Sequence, residues 1–467
     1  MNFPKMNKTI YIVFLLSISF IYAQEKQIKE FTFNEYLGFV KQNHPLVKQA
    51  NLKLNKAQAI LMEARGAFDP KLEAEYNQKQ FKDQNYFSVF NSSFKIPTWY
   101  GIEIKAAFNN NDGVYINPDL TVPNAGLTSL GITVPLGQGL FINQRMADLQ
   151  KAKIIQQLNQ AERNLETVDI LYQAAVAYFE WAKNYNEVAL YQKYLNNANI
   201  RFEGVVELIK QGDKPAIDST EAQITIHLRK LNLEKSSLKL QKSRLELSNY
   251  LWLENNIPIE LNEALFPEIH LSLTIKNTLE TNNIIDFNIS NHPKISALNS
   301  KINILKVDQK LNANMLLPKI DLSYNYLSEP SAFENYRFQD YKLRVNLAFP
   351  LFLRKERAKL KLAKLKVQYT EFTLASEQIQ LKNKIEAQQF EITSLEKQIN
   401  INTKLVDQYN TMLNGEERLF SLGESSLFLI NSRENNLVLA QINVLQLENE
   451  FYNASVNLYK TIANPNL

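Results

Sequence analysis

The sequence predicts a mainly α-helical protein that also contributes strands to a membrane β-barrel, with the whole plan written twice along one chain. Three observations predict it. A residue pattern recurs at a fixed offset of 248, two very long stretches lack proline, and short segments between them alternate charged with apolar or aromatic residues. Adding 248 takes Phe39 to Phe287, Asn43-His44-Pro45 to Asn291-His292-Pro293, Lys53 to Lys301, Pro70-Lys71 to Pro318-Lys319 and Tyr76-Asn77 to Tyr324-Asn325, without a gap. Self-similarity at one long period marks two halves of a single design rather than a many-unit solenoid.

The chain opens with Lys5 and Lys8, an apolar run from Ile10 to Tyr22, and Ala23 before the polar Gln24-Glu25-Lys26. That order reads as a secretory signal peptide over residues 1–23, cleaved after Ala23. No later run reaches the roughly 18–20 apolar residues that a spanning helix needs, so the mature chain is expected to be soluble, peripheral or a barrel. The sequence has no cysteine, which removes disulfides, thiolate metal sites and a lipid anchor on cysteine. Without the leader the balance is 50 basic against 48 acidic residues. So even a balance points to no nucleic acid, whose binding needs a concentrated basic face.

Helices are expected to start near His44 and His292 and to run to the prolines that precede strands, Pro70 and Pro318. In the first strand Leu72, Ala74 and Tyr76 oppose Lys71, Glu73, Glu75 and Asn77. In its counterpart Ile320, Leu322, Tyr324 and Tyr326 oppose Lys319, Asp321, Ser323 and Asn325. The return strands do the same, with Ile102, Ile104, Ala106 and Phe108 against Glu103 and Lys105, and Leu343, Val345, Leu347 and Phe349 against Lys342, Arg344 and Asn346. About ten residues of such alternation is the pattern of a transmembrane barrel strand, although an ordinary sheet with one wet face alternates too. Aromatics crowd the segment ends: Tyr86, Phe87, Phe90, Phe94, Trp99 and Tyr100 in one half, Phe333, Tyr336, Phe338 and Tyr341 in the other. Such belts belong where a barrel meets the membrane interface. Residues 84–95 or 110–126 are expected to form an external loop in preference to an extra hairpin, with turns at Asn109 to Gly113 and at Asn117-Pro118-Asp119. About four strands per chain follow, too few to close alone, so several chains must share one barrel.

From Asn143 to Gln211, Leu149, Leu158, Leu165, Val168, Tyr172, Ala175, Phe179 and Ala182 recur at helical spacings, which predicts one long rod with a coiled-coil-like stripe. A second rod is expected over 354–422. Each ends at a glycine, Gly212 or Gly423, and turns back through a partner helix over about 215–256 or 424–463. The chain thus divides into a leader (1–23), a first repeat (24–256), a linker (257–276) and a second repeat (277–467).

The paired Asn-His-Pro sites, the paired Pro-Lys strand starts, Val134-Pro135-Leu136, Phe349-Pro350-Leu351 and the two tip glycines together resemble the TolC-type outer membrane efflux protein family. The resemblance covers nearly the whole mature chain. It implies a homotrimer with a twelve-stranded barrel in the outer membrane lipid, a long α-helical barrel across the periplasm, and docking to a periplasmic adaptor and an inner-membrane pump. In that family carboxylates sit six and nine places after the tip glycine at the periplasmic entrance. Here those places hold Asp218 and Glu221 after Gly212, but Leu429 and Ser432 after Gly423, so the second half departs from the pattern.

Chemistry is not expected. Asn43, His44, Pro45, Asn291, His292 and Pro293 read as helix-start capping or packing, His227 and His270 are isolated, and no zinc, phosphate-loop, nucleophile-elbow or dinucleotide motif is present. The expected work is passive conduction with no cofactor and no enzyme activity. The rival readings are a periplasmic coiled-coil adaptor or structural rod, and a surface enzyme or adhesin on helical stalks. The charged-aromatic strands and their duplication argue against the first, and the missing catalytic constellation against the second.

Overall fold

The computed structural model describes residues 29–279, 287–332 and 337–464. The leader lies outside the described residues, as do Phe333 and Tyr336 of the second aromatic cluster. The first half runs β1 (Lys29–Phe31), α1 (Phe33–Asn43), α2 (Pro45–Gly66), β2 (Lys71–Phe81), β3 (Gln84–Pro97), β4 (Glu103–Asp112), β5 (Leu127–Pro135), α3 (Gln144–Lys210) and α4 (Ile217–Ser248). After β6 (Leu265–Pro267) and α5 (Leu271–Thr278), the second half runs α6 (Pro293–Asn314), β7 (Lys319–Ser328), β8 (Tyr341–Ala348), α7 (Arg354–Ser421) and α8 (Leu427–Ile462).

The repeat survives folding residue for residue from the Asn-His-Pro helices to the strands that follow them. Helices α2 and α6 are each 22 residues long and both begin at the proline of Asn-His-Pro, where a missing N–H costs nothing because a first-turn amide has no intrahelical partner. Lys53 of α2 and Lys301 of α6 approach Glu162 of α3 at 3.5 and 3.6 Å, so the two copies flank the same rod. The rods α3 and α7 contain 67 and 68 residues, about 100 Å each at ~1.5 Å per residue. Among the described residues no helix is long and apolar enough to cross a membrane.

Helix α4 stops at Ser248, short of the expected 256. The Ser248 hydroxyl accepts from the Leu261 backbone N–H at 2.9 Å, and Asn256 takes a left-handed φ of 58°, so the chain reverses instead of extending the helix. Within the stretch read as a linker, β6 pairs in parallel with β1, Glu30 opposite Phe266. This small ribbon sits on a belt of fully buried rings from Phe33, Tyr36, Tyr178, Phe179 and Trp181. The Tyr178 hydroxyl donates to the Phe31 carbonyl at 2.6 Å and accepts from the Glu268 N–H at 3.0 Å, so the ring's polar tip is satisfied where its body is buried.

Helices form a row. Near the tips α4 packs on α3, α3 on α8 and α8 on α7; nearer the sheet α2 packs on α3, α3 on α6 and α6 on α7. The row therefore has α2 and α4 on one flank and α7 on the other.

One antiparallel sheet holds six strands in the order β2-β3-β4-β5-β7-β8. The expected count of about four is corrected here. Residues 84–95 form most of β3 instead of an external loop, and Asn109 to Asp112 extend β4, the turn falling at Gly113. Two sequence features hid this. Ser88 and Ser92 interrupt the apolar face of β3, and the asparagine run, read as a turn, sits on a strand whose other face is polar. The stretch 114–126 does loop, with a single 3-10 turn at Pro118–Leu120.

Candidate functional site

The two faces of the sheet differ completely in chemistry. In register across the strands, Leu72, Phe94, Ala106, Leu130, Tyr326 and Tyr341 form one row, and Ile96, Ile104, Ile132, Tyr324 and Leu343 form the next. The opposite face carries Lys71, Lys95, Lys105, Gly131, Asn325 and Lys342 in one row. Leu72, Leu343, Val345 and Leu347 are more than half exposed while Tyr326 is buried, so much of the apolar face lacks protein cover within the chain. Lys95 and Glu73 form an ion pair on the polar face. Five of the six strands, at 9 to 14 residues, reach the ~9–11 residues that a tilted strand needs to span lipid, and β8 at 8 residues is one short; an apolar face opposite a polar one is what lipid outside and water inside require.

The ends of the strands carry the aromatic groups. Trp99 stacks on Phe68 with centroids 5.8 Å apart at the sheet-to-rod junction, and Phe141, Leu351 and Phe352 are highly exposed beside it. At the other end Tyr86 packs on Tyr115 at 4.9 Å, and Phe338 is exposed.

At the far end of the rods the two tips are built alike. Gly212 and Gly423 take φ of 84° and 80°, the left-handed region that costs glycine nothing. The Asp213 N–H reaches the Leu208 carbonyl at 2.9 Å and the Glu424 N–H the Leu419 carbonyl at 2.9 Å, closing a Schellman turn on each helix. The return helices start differently. Ala216 offers α4 no side-chain cap, whereas Ser426 caps α8 by accepting from the Leu429 N–H.

Of the tip residues singled out in the sequence, Asp218 lies half-buried in the first turn of α4. Glu221 accepts from the Asn431 side-chain amide at 3.2 Å and so ties α4 to α8. Leu429 is 38% exposed and Ser432 half-buried on α8. The Asn-His-Pro residues lie elsewhere, at the opposite end of α2 and α6 from the strands, and do not join the tips.

Sequence reasoning missed the polar core of the tip region. Glu434 of α8 is wholly buried and grips Arg201 of α3 at 2.9 Å and Arg229 of α4 at 3.3 Å. Arg201 also donates to Asn431 at 3.3 Å and to Glu417 of α7 at 3.4 Å, so one network touches all four tip helices. Above it the Tyr194 hydroxyl, pushed up to about 12 chiefly by burial, donates to Gln441 at 2.7 Å. A signal existed: Glu434 occupies the stripe of Ile430 and Val438, four residues either side, where only apolar residues are expected.

Both cap histidines work as neutral rings. Nδ1 of His44 accepts from the Leu46 N–H at 3.3 Å and Nδ1 of His292 from the Lys294 N–H at 3.0 Å. Nε2 of His292 donates to the Thr461 carbonyl at 2.9 Å. Burial, the main cause in each, holds both below the usual histidine value. The unfolded rings titrate near 6.5, so between that value and the lower folded one the unfolded chain binds protons that the folded chain does not. Stability from these caps is therefore full above about pH 6.5 and falls as pH drops through that window. A His44→Asn/His292→Asn variant keeps a cap acceptor but cannot titrate. Its thermal midpoint is expected to fall less than that of the native chain between pH 7.5 and pH 5; equal falls would remove the histidines from the account.

A sheet apolar on one face and polar on the other, continued by helices about 100 Å long that end in paired tips, has the form of one sector of a conduit. The chain belongs to the outer membrane efflux protein family, whose sequence pattern matches residues 38–251 and 285–464. By that membership it is a protein of the outer membrane that serves efflux. Among solved structures it is similar to CusC, with 14% identity, 93% of each chain covered and a TM-score of 0.64. It is also similar to VceC of Vibrio cholerae, at 14% identity over 92% of this chain and 96% of that one, with a TM-score of 0.63. MtrE of Neisseria gonorrhoeae, solved in its open state, matches at 14% identity over 93% and 89% of the two chains, with a TM-score of 0.63. At such identity these likenesses establish the fold. No curated protein matches the sequence.

Proposed function

We propose that three copies of this chain close into one passive channel, which takes cargo from an inner-membrane pump and a periplasmic adaptor docked at the tips and releases it outside the cell. The observation that carries this reading is that every unpartnered edge has its complement on the opposite flank. Exposed Ile217, Ile224, Leu231, Leu238 and Leu245 recur every seven residues along α4 on one flank. On the other, along the same tip-proximal stretch, α7 exposes Phe390, Ile401, Leu405, Met412 and Leu419 at helical spacing. A seven-residue apolar stripe is a coiled-coil seam awaiting a partner helix. The free sheet edges, β2 and β8, run in opposite directions, so β8 of one copy can pair antiparallel with β2 of the next. Head-to-tail contacts of this kind generate rings, and energy for transport comes from the pump.

Asp218 supplies the negative charge at the entrance, with Glu221 held back by Asn431. Leu429 and Ser432 give the second tip no matching carboxylates. In planar bilayers the Asp218→Asn channel is expected to lose several-fold of its cation preference while keeping its oligomeric mass. An unchanged reversal potential would remove Asp218 from the entrance.

A further inference from the structure

The sheet has one hairpin more than its own repeat requires. By the 248-residue offset β2 corresponds to β7, and by their place before the two rods, at Val134-Pro135-Leu136 and Phe349-Pro350-Leu351, β5 corresponds to β8. In the second half β7 and β8 pair directly, whereas in the first half β3 and β4 stand between β2 and β5. We propose that β3 and β4 cross the outer membrane and line the outlet, so that the closed trimer has an eighteen-stranded barrel instead of a twelve-stranded one.

Three observations place the hairpin in the barrel wall. First, its register continues both faces: Phe94 and Ala106 lie between Leu72 and Leu130 on the apolar side, and Ser93 and Ala107 between Glu73 and Ser129 on the other. Second, β3 crosses the full height of the sheet. The turn after it, at Trp99 to Gly101, is seated at the strand-to-rod junction, where Asn143, the cap of α3, donates to the Trp99 carbonyl at 3.3 Å. Gly101 has φ of 74°, and a Cβ there would lie 2.9 Å from the Gly139 carbonyl; a loop outside the membrane would have its turns at the far end. Third, inserting a pair of strands preserves the antiparallel match between β8 and the neighbouring β2, so closure survives.

The consequence for export is size. With strands about 4.8 Å apart and tilted about 40°, eighteen of them close at about 36 Å between opposite backbones, against about 24 Å for twelve. An outlet that wide does not sieve what the helical tunnel admits, which leaves selection to the tips and suits bulky cargo.

This inference rests on the trimeric channel reading, and its test separates the two. The chain has no cysteine, so single cysteines report cleanly. Ser93→Cys and Ala107→Cys are expected to react with a membrane-impermeant maleimide on whole cells. Phe94→Cys and Ala106→Cys are expected to be protected, and, carrying a fluorophore, to be quenched by brominated lipid. Ser323→Cys and Val345→Cys, on β7 and β8, serve as the wet and lipid-facing controls. Equal labelling of 93, 94, 106 and 107 beside a protected 345 would put the hairpin in water and overturn the proposal, leaving the channel intact. Labelling of 345 as well would overturn the barrel itself. Electron microscopy of the purified trimer counts the strands directly, eighteen supporting the proposal and twelve refuting it.

Discussion

Glutamate in place of both Leu231 and Leu238 is expected to leave the protein as folded monomers. Both side chains lie on the exposed seven-residue stripe of α4, at 50% and 57% exposure, and contribute little inside one chain. In a ring each is covered by the α7 flank of the next copy. Removing that burial costs about 1.5–3 kcal/mol per side chain, and placing carboxylates in the seam adds their desolvation, at every seam of the ring. Mass measurement of detergent-extracted protein, with circular dichroism to show that the helices remain, reads the result. A variant that stays trimeric would place the seam elsewhere, since the exposed stripe would then face water in the assembly.

The second large effect is expected at Glu434. Glu434→Gln removes the only carboxylate that touches both Arg201 and Arg229 among the described residues, leaving the buried Arg229 guanidinium without its carboxylate and Arg201 with Glu417 at 3.4 Å. Breaking a buried pair from one side costs about 3–5 kcal/mol, concentrated where α3, α4, α7 and α8 meet. The variant is expected to show faster hydrogen exchange and proteolysis at Gln211-Gly212-Asp213 and Leu422-Gly423-Glu424, while the ring belt around Trp181 stays protected. A triple variant that makes Arg201, Arg229 and Glu434 apolar should recover much of the loss, because no charge remains to be desolvated. Uniform loosening of the whole chain would show instead that the network is not a local clamp.

Helices and repeat were legible in the sequence because their signals are local. The proline-free stretches, the glycines at 212 and 423 and the Asn-His-Pro starts each report one helix end, and the fold honours them within a few residues. The four strands whose alternation is unbroken, including β7 and β8, were legible for the same reason. Where β3 was lost, its face pattern is interrupted by Ser88 and Ser92, and its membership in the sheet depends on partners tens of residues away. The polar tip network was invisible for another reason: Glu434, Arg201 and Arg229 come from three helices, and charges far apart in sequence announce a contact only after packing. Of the two acidic residues expected together at the entrance, the fold engages Glu221 with Asn431, a partnership that spacing alone does not show.

The most direct test of the account is the mass and electrical behaviour of the protein extracted from outer membranes. A detergent-resistant trimer that opens steady, cation-preferring channels in planar bilayers is the expected result. A monomer or dimer that carries no current, with its helices intact by circular dichroism, would contradict it and leave a periplasmic rod as the better description.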